Sequence, residues 1–192
     1  MNNIKMDRRI RKTRNNLKLS LSELMCEKDF KDITVKDIAD RADINRGTFY
    51  LHYKDTYDLL EKIENGILME FQDMIDTYRP PTPVTTLLPI LEPIADYILD
   101  NQEVCRSMFR NKSNMNFIHK FRKLISENGA SFIKEKFPSY NKEIYEFYFT
   151  FISFGILGQI KHWFDTDLHL PKKDFVEMVD KIITSAAASV LS

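Results

Sequence analysis

The densest set of recognition groups in the chain lies in INRGTFYLHYKD, residues 44 to 55. Asn45, Arg46, Gly47 and Thr48 follow one another as an amide, a guanidinium, a bare backbone and a small hydroxyl. An arginine carries its N–H groups in a planar fork that matches the O6/N7 edge of a guanine. Gly47 lets a backbone come close to base edges, and the Thr48 methyl suits a thymine methyl. Tyr50, His52 and Lys54 supply further donors of the kind that hold phosphate oxygens. Phe49 and Tyr53, between them, are expected to face a core. Such a mixture points to recognition of a nucleic acid rather than to bond-breaking chemistry.

Catalytic signatures are missing. His52, His119, His162 and His169 have no metal-ligand spacing with cysteine or carboxylates. No G-x-S-x-G, phosphate-binding loop or dinucleotide fingerprint occurs, and the chain holds 5 glycines. No enzyme activity, metal or cofactor is expected.

The elements that must position these groups read as helices throughout, so the expected fold class is all-α. Ile10, Leu17, Leu21 and Leu24 form a stripe that predicts a first helix over 7–28. Thr34, with Asp37 three residues on, predicts a capped second helix to about Arg41 that packs Val35, Ile38 and Ala39. A tight turn follows at Ala42-Asp43-Ile44. Asn45 is placed to cap a very short helix ending near Tyr53, and Asp55 to cap a longer one carrying Tyr57, Leu60, Ile63, Ile67 and Phe71. Two short helices joined by a tight turn, residues 34–53, form a helix-turn-helix, whose second helix enters the DNA major groove.

Pro80, Pro81 and Pro83 set a boundary. It divides a DNA-binding domain, 1–78, from a second helical domain, 84–192. Helices are predicted there at 86–100, 102–110, 114–136, 141–164 and 171–191, with Pro171 as a first helical residue and Pro93 either kinking the first of them or marking its true start. Phe147 to Ile160 is uncharged, too short to span a bilayer, and apolar on every face. It therefore needs neighbours on two sides.

Formal net charge is zero, with 28 basic and 28 acidic residues, but its distribution is uneven. Residues 1–54 hold 13 Lys and Arg against 8 Asp and Glu, a balance of +5, which leaves −5 for the remainder. A polyanion partner is implied for the first part only. The first 20 residues are basic and polar, and Cys26 and Cys105 fall in apolar helical patterns. These features predict a cytoplasmic protein with reduced thiols and no membrane association.

DITVKDIADRADINRGTFYLHYKDTYDLL resembles the tetracycline-repressor (TetR) type of transcriptional regulator, over residues 7–67. FYFTFISFGILGQIKHWF is loosely similar to a subgroup typified by the activator of dihydroxyacetone-kinase operons. The resemblance implies a homodimeric, ligand-responsive regulator that binds a near-palindromic DNA operator. It places base contacts on Lys36, Arg46, Gly47 and Thr48, and phosphate contacts on Thr34, Tyr50, His52 and Lys54. Thr56 stands where the family usually has a lysine. That departure keeps open a co-regulator acting through protein contacts, and a small-molecule sensor without DNA binding is a further alternative. The second domain is implied to hold an unidentified small-molecule effector, with Phe109, Phe121, Tyr148 and Phe151 as pocket candidates. It is implied to dimerise through its last two helices, with Ile152, Gly155, Ile156, Gly158, Ile183 and Ala187 at the interface.

Overall fold

A computed structural model describes residues 2–79, 86–110, 115–136 and 141–190, and every regular element among them is helical. The order is α1 (Asn2–Glu27), a 3-10 turn (Phe30–Asp32), α2 (Val35–Arg41), α3 (Arg46–Tyr50), α4 (Thr56–Tyr78), α5 (Leu88–Asp100), α6 (Gln102–Arg110), α7 (Met115–Lys136), α8 (Lys142–Asp165) and α9 (Lys172–Val190). The expected all-α class holds. The proline boundary at Pro80, Pro81 and Pro83, and Pro138, lie outside the described residues. Pro93 sits inside α5, and Pro171 directly precedes α9, its carbonyl accepting from the Phe175 amide.

The chain forms two compact units. The first comprises residues 1–67 and 102–114, the second residues 68–101 and 115–192. They divide the chain differently from a cut at the prolines: α6 joins the first unit, where it packs on α1, and the last part of α4 belongs to the second. Sequence order gave no hint of this, because α6 lies between two helices of the other unit.

In the first unit Leu17, Leu21, Ile38, Phe49 and Leu59 are wholly buried. The start of α2 is fixed by a capping box. The Asp37 amide donates to Thr34 Oγ1, and the Thr34 amide donates to Asp37 Oδ2 at 2.9 Å. Lys28 Nζ reaches the same Asp37 oxygen at 2.9 Å. At the other end Arg41 forks onto Glu27 at 2.9 and 2.8 Å and meets Glu23 at 3.2 Å. Both ends of α2 are thus tied by charge to α1 or to Lys28 just beyond it. These groups are partly exposed, so the ties fix direction more than they add stability.

In the second unit α5 packs on α9, α7 on α8, and α8 on α9. Asp180, buried on α9, accepts from the Leu87 amide and the Thr86 hydroxyl, so the start of α5 is capped by a side chain from a distant helix. Trp163 stacks on Phe175 with ring centroids 4.1 Å apart, and its indole N–H donates to the Leu170 carbonyl at 2.8 Å.

The capping box carries a stability prediction. The Thr34 amide, then Lys28 and the Thr34 hydroxyl, hold the Asp37 carboxyl at about 2, below its ordinary 3.8. A depressed folded-state pKa contributes stability that is present above the unfolded value and is lost as pH falls from there through the folded value. Urea denaturation from pH 5 to pH 2 should therefore show wild type losing stability more steeply than Asp37→Asn. At neutral pH, Thr34→Ala should cost about 1 kcal/mol. Parallel acid limbs for wild type and Asp37→Asn would contradict the assignment.

Candidate nucleic-acid interface and apolar cavity

Helix α3 is only 5 residues long and is built by its flanks. The turn before it closes with the Ile44 amide on the Ala39 carbonyl at 3.0 Å, and Asp43 takes a left-handed φ of 52°. Asn45 Oδ1 then accepts from the Thr48 amide at 2.8 Å and from the Thr48 hydroxyl at 3.1 Å. Phe49 is wholly buried and Tyr53 nearly so. With these two rings inward, Arg46, Gly47 and Tyr50 are left exposed. The Tyr50 and Phe49 rings meet in a T-shaped pair at a centroid distance of 5.6 Å.

The other sequence-predicted contacts lie in the same unit. Thr34, Lys36 and Lys54 are exposed, while Thr48 and His52 are half-buried. Burial pushes the His52 imidazole below its ordinary pKa, and the positive charge of Arg14 adds to this. The ring is accordingly neutral at pH 7 and keeps one N–H to donate. The Thr34 hydroxyl donates to Asp37 Oδ2, so a phosphate contact there requires its proton to turn away from the cap. Arg8, Arg9, Arg11, Lys12 and Arg14 of α1 are all exposed.

The opening of α4 differs from a simple anion site. Thr56 is buried, and the Asp58 amide is taken by Asp55 Oδ1 at 2.8 Å. Asp58 accepts in turn from the Lys54 amide and pairs with Lys62, both at 3.0 Å. One exposed group escaped the sequence reading. Leu51, at the end of α3, is 80% exposed. Its signal is that Phe49 and Tyr53 already fill the inward positions, which leaves a leucine between them with no core to enter.

The second unit holds a cavity of about 190 Å³, walled by α4, α5, α7, α8 and α9. Phe121 and Tyr148 line it. Phe109 does not: it is buried on α6 in the first unit. Phe151 does not either, being 70% exposed. Conversely Ile152, Ile156, Ile183 and Ala187, expected at a partner interface, face this cavity. Gly155 is half-buried and Gly158 exposed, with nothing within 4 Å of a Cβ built on either. The exchange of Phe151 and Ile152 has a simple cause. Adjacent helical residues point about 100° apart, and in a run that is apolar all round nothing in the sequence sets the phase. The outer face of α8 carries Phe147 (72% exposed), Phe151 and Phe154 (50%). Arg122 lies over the Phe154 ring at 4.3 Å.

A capped helix-turn-helix with an exposed arginine beside a glycine, together with a helical unit holding an apolar cavity, defines a DNA-binding regulator of transcription by its architecture. Residues 22–63 match the model for bacterial regulatory proteins of the tetR family, and residues 85–185 match the TetR transcriptional regulator C-terminal region. The chain belongs to the TetR family of transcriptional regulators. Its matches are regulators, not enzymes. A curated relative, the uncharacterized HTH-type transcriptional regulator YxbF of Bacillus subtilis (strain 168), is 25% identical over 160 residues. The match takes in 79% of this chain and 39% of the relative, so the chain spans about two fifths of that protein's length. A TetR-family regulator from Syntrophomonas wolfei str. Goettingen shares the fold with a TM-score of 0.72 at 16% identity, over 94% of this chain and 97% of that one. The dihydroxyacetone kinase operon activator DhaS shares it with a TM-score of 0.58 at 17% identity, over 94% and 98%. Among the described residues no helix is long and apolar enough to cross a membrane.

The cavity wall yields a second prediction. Gly129 of α7 makes a notch into which the Phe149 ring fits, and a Cβ there would stand 2.0 Å from Phe149 Cε1 and 2.2 Å from Cζ, far inside van der Waals contact. Gly129→Ala must displace Phe149, at a cost of about 1–3 kcal/mol. Equilibrium urea unfolding measures it, and an unchanged midpoint would show that the ring has another place to go.

Proposed function

We propose that this protein binds a near-palindromic DNA operator as a homodimer, and that a small molecule held in the cavity changes its operator affinity. The unit of residues 1–67 and 102–114 supplies the DNA-reading part, and the unit of residues 68–101 and 115–192 the effector and dimer part. Lys36, Arg46, Gly47 and Thr48 read bases, while Thr34, Tyr50, His52 and Lys54 hold phosphates. The observation that carries this reading is the exposure of Arg46, Gly47 and Tyr50 on a helix that is capped by Asn45 and anchored by the buried Phe49. Effector control follows if the ligand has different affinities for the DNA-competent and DNA-incompetent states. The site of action is the cytoplasm.

The outer face of α8 supports the dimer. Three large rings stand exposed in one stripe of α8, and Met178 and Ile182 of α9 are exposed as well; exposed apolar surface of this kind marks a protein interface. A second copy offers the same stripe and covers it by two-fold symmetry.

Selection of bound duplexes from random DNA tests the reading as a whole, and single substitutions test its parts. Against a panel of single-base operator variants, Arg46→Ala should lose about 1–3 kcal/mol at one base position in each half-site and relax preference there alone. Lys54→Ala should weaken all variants alike and lower the salt slope by roughly one unit per half-site. A uniform loss from Arg46→Ala would move that residue to the phosphates. Failure to enrich any sequence would remove the operator-binding reading.

The dimer has its own check. Phe151→Glu sets a charge on the exposed stripe without touching the cavity wall. Sedimentation should show a dimer for wild type and a folded monomer for the variant. A variant that remains dimeric at micromolar concentration would place the interface elsewhere.

A further inference from the structure

The wall of the cavity in the second unit defines what it can accept. We propose that the cavity takes an uncharged, hydrocarbon-rich small molecule, about the size of a substituted benzene ring, and rejects carboxylate and ammonium forms of the same skeleton. The proposal rests on the reading of this cavity as the effector site and adds the chemical class of the ligand.

Three observations carry it. First, no Asp, Glu, Lys, Arg or His is among the lining residues, so an ion inside would lose its water and meet no counter-charge. Second, the polar side chains that do reach the wall are committed to one another or to backbone. Asn128 donates to the Leu124 carbonyl at 2.9 Å and to Gln72 Oε1 at 2.8 Å, while its own oxygen accepts from Gln72 Nε2 at 3.1 Å. The Tyr148 hydroxyl donates to the Ile183 carbonyl at 2.9 Å, and the Thr184 hydroxyl donates to the Asp180 carbonyl at 2.8 Å. A carboxylate, which only accepts, could be met only by breaking one of these bonds, and the oxygens that can still accept are neutral and offer an ammonium no counter-charge. Third, the volume of about 190 Å³ suits a small ligand. An apolar cavity of roughly 150 Å³ in another protein stays dry and admits benzene.

The same wall explains why the ligand would be selected by shape. Phe149 is seated in the Gly129 notch, and its ring forms part of the cavity surface. With no charged anchor on the wall, contact with rings and branched aliphatic groups is the main source of discrimination. That source separates skeletons differing by a methylene only modestly. Several related hydrocarbons should therefore bind.

The test uses the full chain with n-butylbenzene, 4-butylbenzoate and 4-butylbenzylammonium, followed by titration calorimetry and thermal unfolding at pH 7.5. The expected result is that butylbenzene raises Tm and binds about ten-fold or more tightly than either ion. Ile156→Trp, which fills the cavity from a half-buried wall position, should abolish that binding; Ile94→Phe, on the opposite helix α5, serves if the first variant fails to fold. Ions that bind as well as butylbenzene overturn the proposal. So does butylbenzene binding that survives both cavity-filling variants, and so does the absence of any binding. Operator affinity measured on selected DNA separates this from the functional reading. Butylbenzene that occupies the cavity without altering DNA affinity leaves the ligand class standing and removes the effector role.

Discussion

A helix of 5 residues cannot hold itself together, and the proposed DNA-reading surface depends on one. Isolated helices shorter than about 12–15 residues are marginal in water, because the first turn fixes several dihedrals for a single hydrogen bond. Helix α3 therefore borrows its order. Asn45 fixes its start, the Ala39–Ile44 bond fixes the turn, and the buried Phe49 fixes its rotation. Helix α2, at 7 residues, borrows in the same way from the Thr34–Asp37 box and from the Arg41 fork on Glu27. The direction of Arg46 in space is thus inherited, through caps and one ring, from the long helix α1.

This dependence explains why the first unit was so legible in the sequence. Thr34, Asp37, Asn45 and Asp55 act on amides within three residues of themselves, so pattern and structure are the same information. The second unit works over longer range. Its helix limits were readable from punctuation, but the side each residue faces was not. Phe147 to Ile160 contains no charge, so nothing local tells Phe151 to point out and Ile152 to point in. Packing against α7 and α9 makes that choice. The same holds for Phe109, whose partner helix α1 lies about 90 positions earlier in the chain, and for the Asp180 cap on α5. Thr56 shows the limit of reading by resemblance: a departure from the family lysine turned out to be a buried side chain at a helix start already occupied by Asp55 and Asp58.

Charge is divided between building and display. Arg41 and Lys28 belong to the basic surplus of the first 54 residues, yet they are spent on Glu23, Glu27 and Asp37. Arg46, Lys54 and the arginines of α1 remain on the surface. A net charge of zero conceals this arrangement, since the compensating acids lie mostly beyond residue 54. A protein so arranged can attract a polyanion with one region without the whole molecule carrying a charge that would favour indiscriminate adhesion.

The seating of Phe149 in the Gly129 notch has an evolutionary consequence. Position 129 shapes the cavity, yet any side chain there collides first with a ring that the core relies on. A mutation there that reshapes the cavity is therefore filtered by folding before it can be tried for the proposed ligand role. Ile94 and Ile156, which line the same space from half-buried positions, escape that filter. If the cavity is the effector site proposed above, new ligand preferences within this lineage should arise by drift at such aliphatic wall positions, with the glycine and its ring persisting as a fixed frame around which they vary.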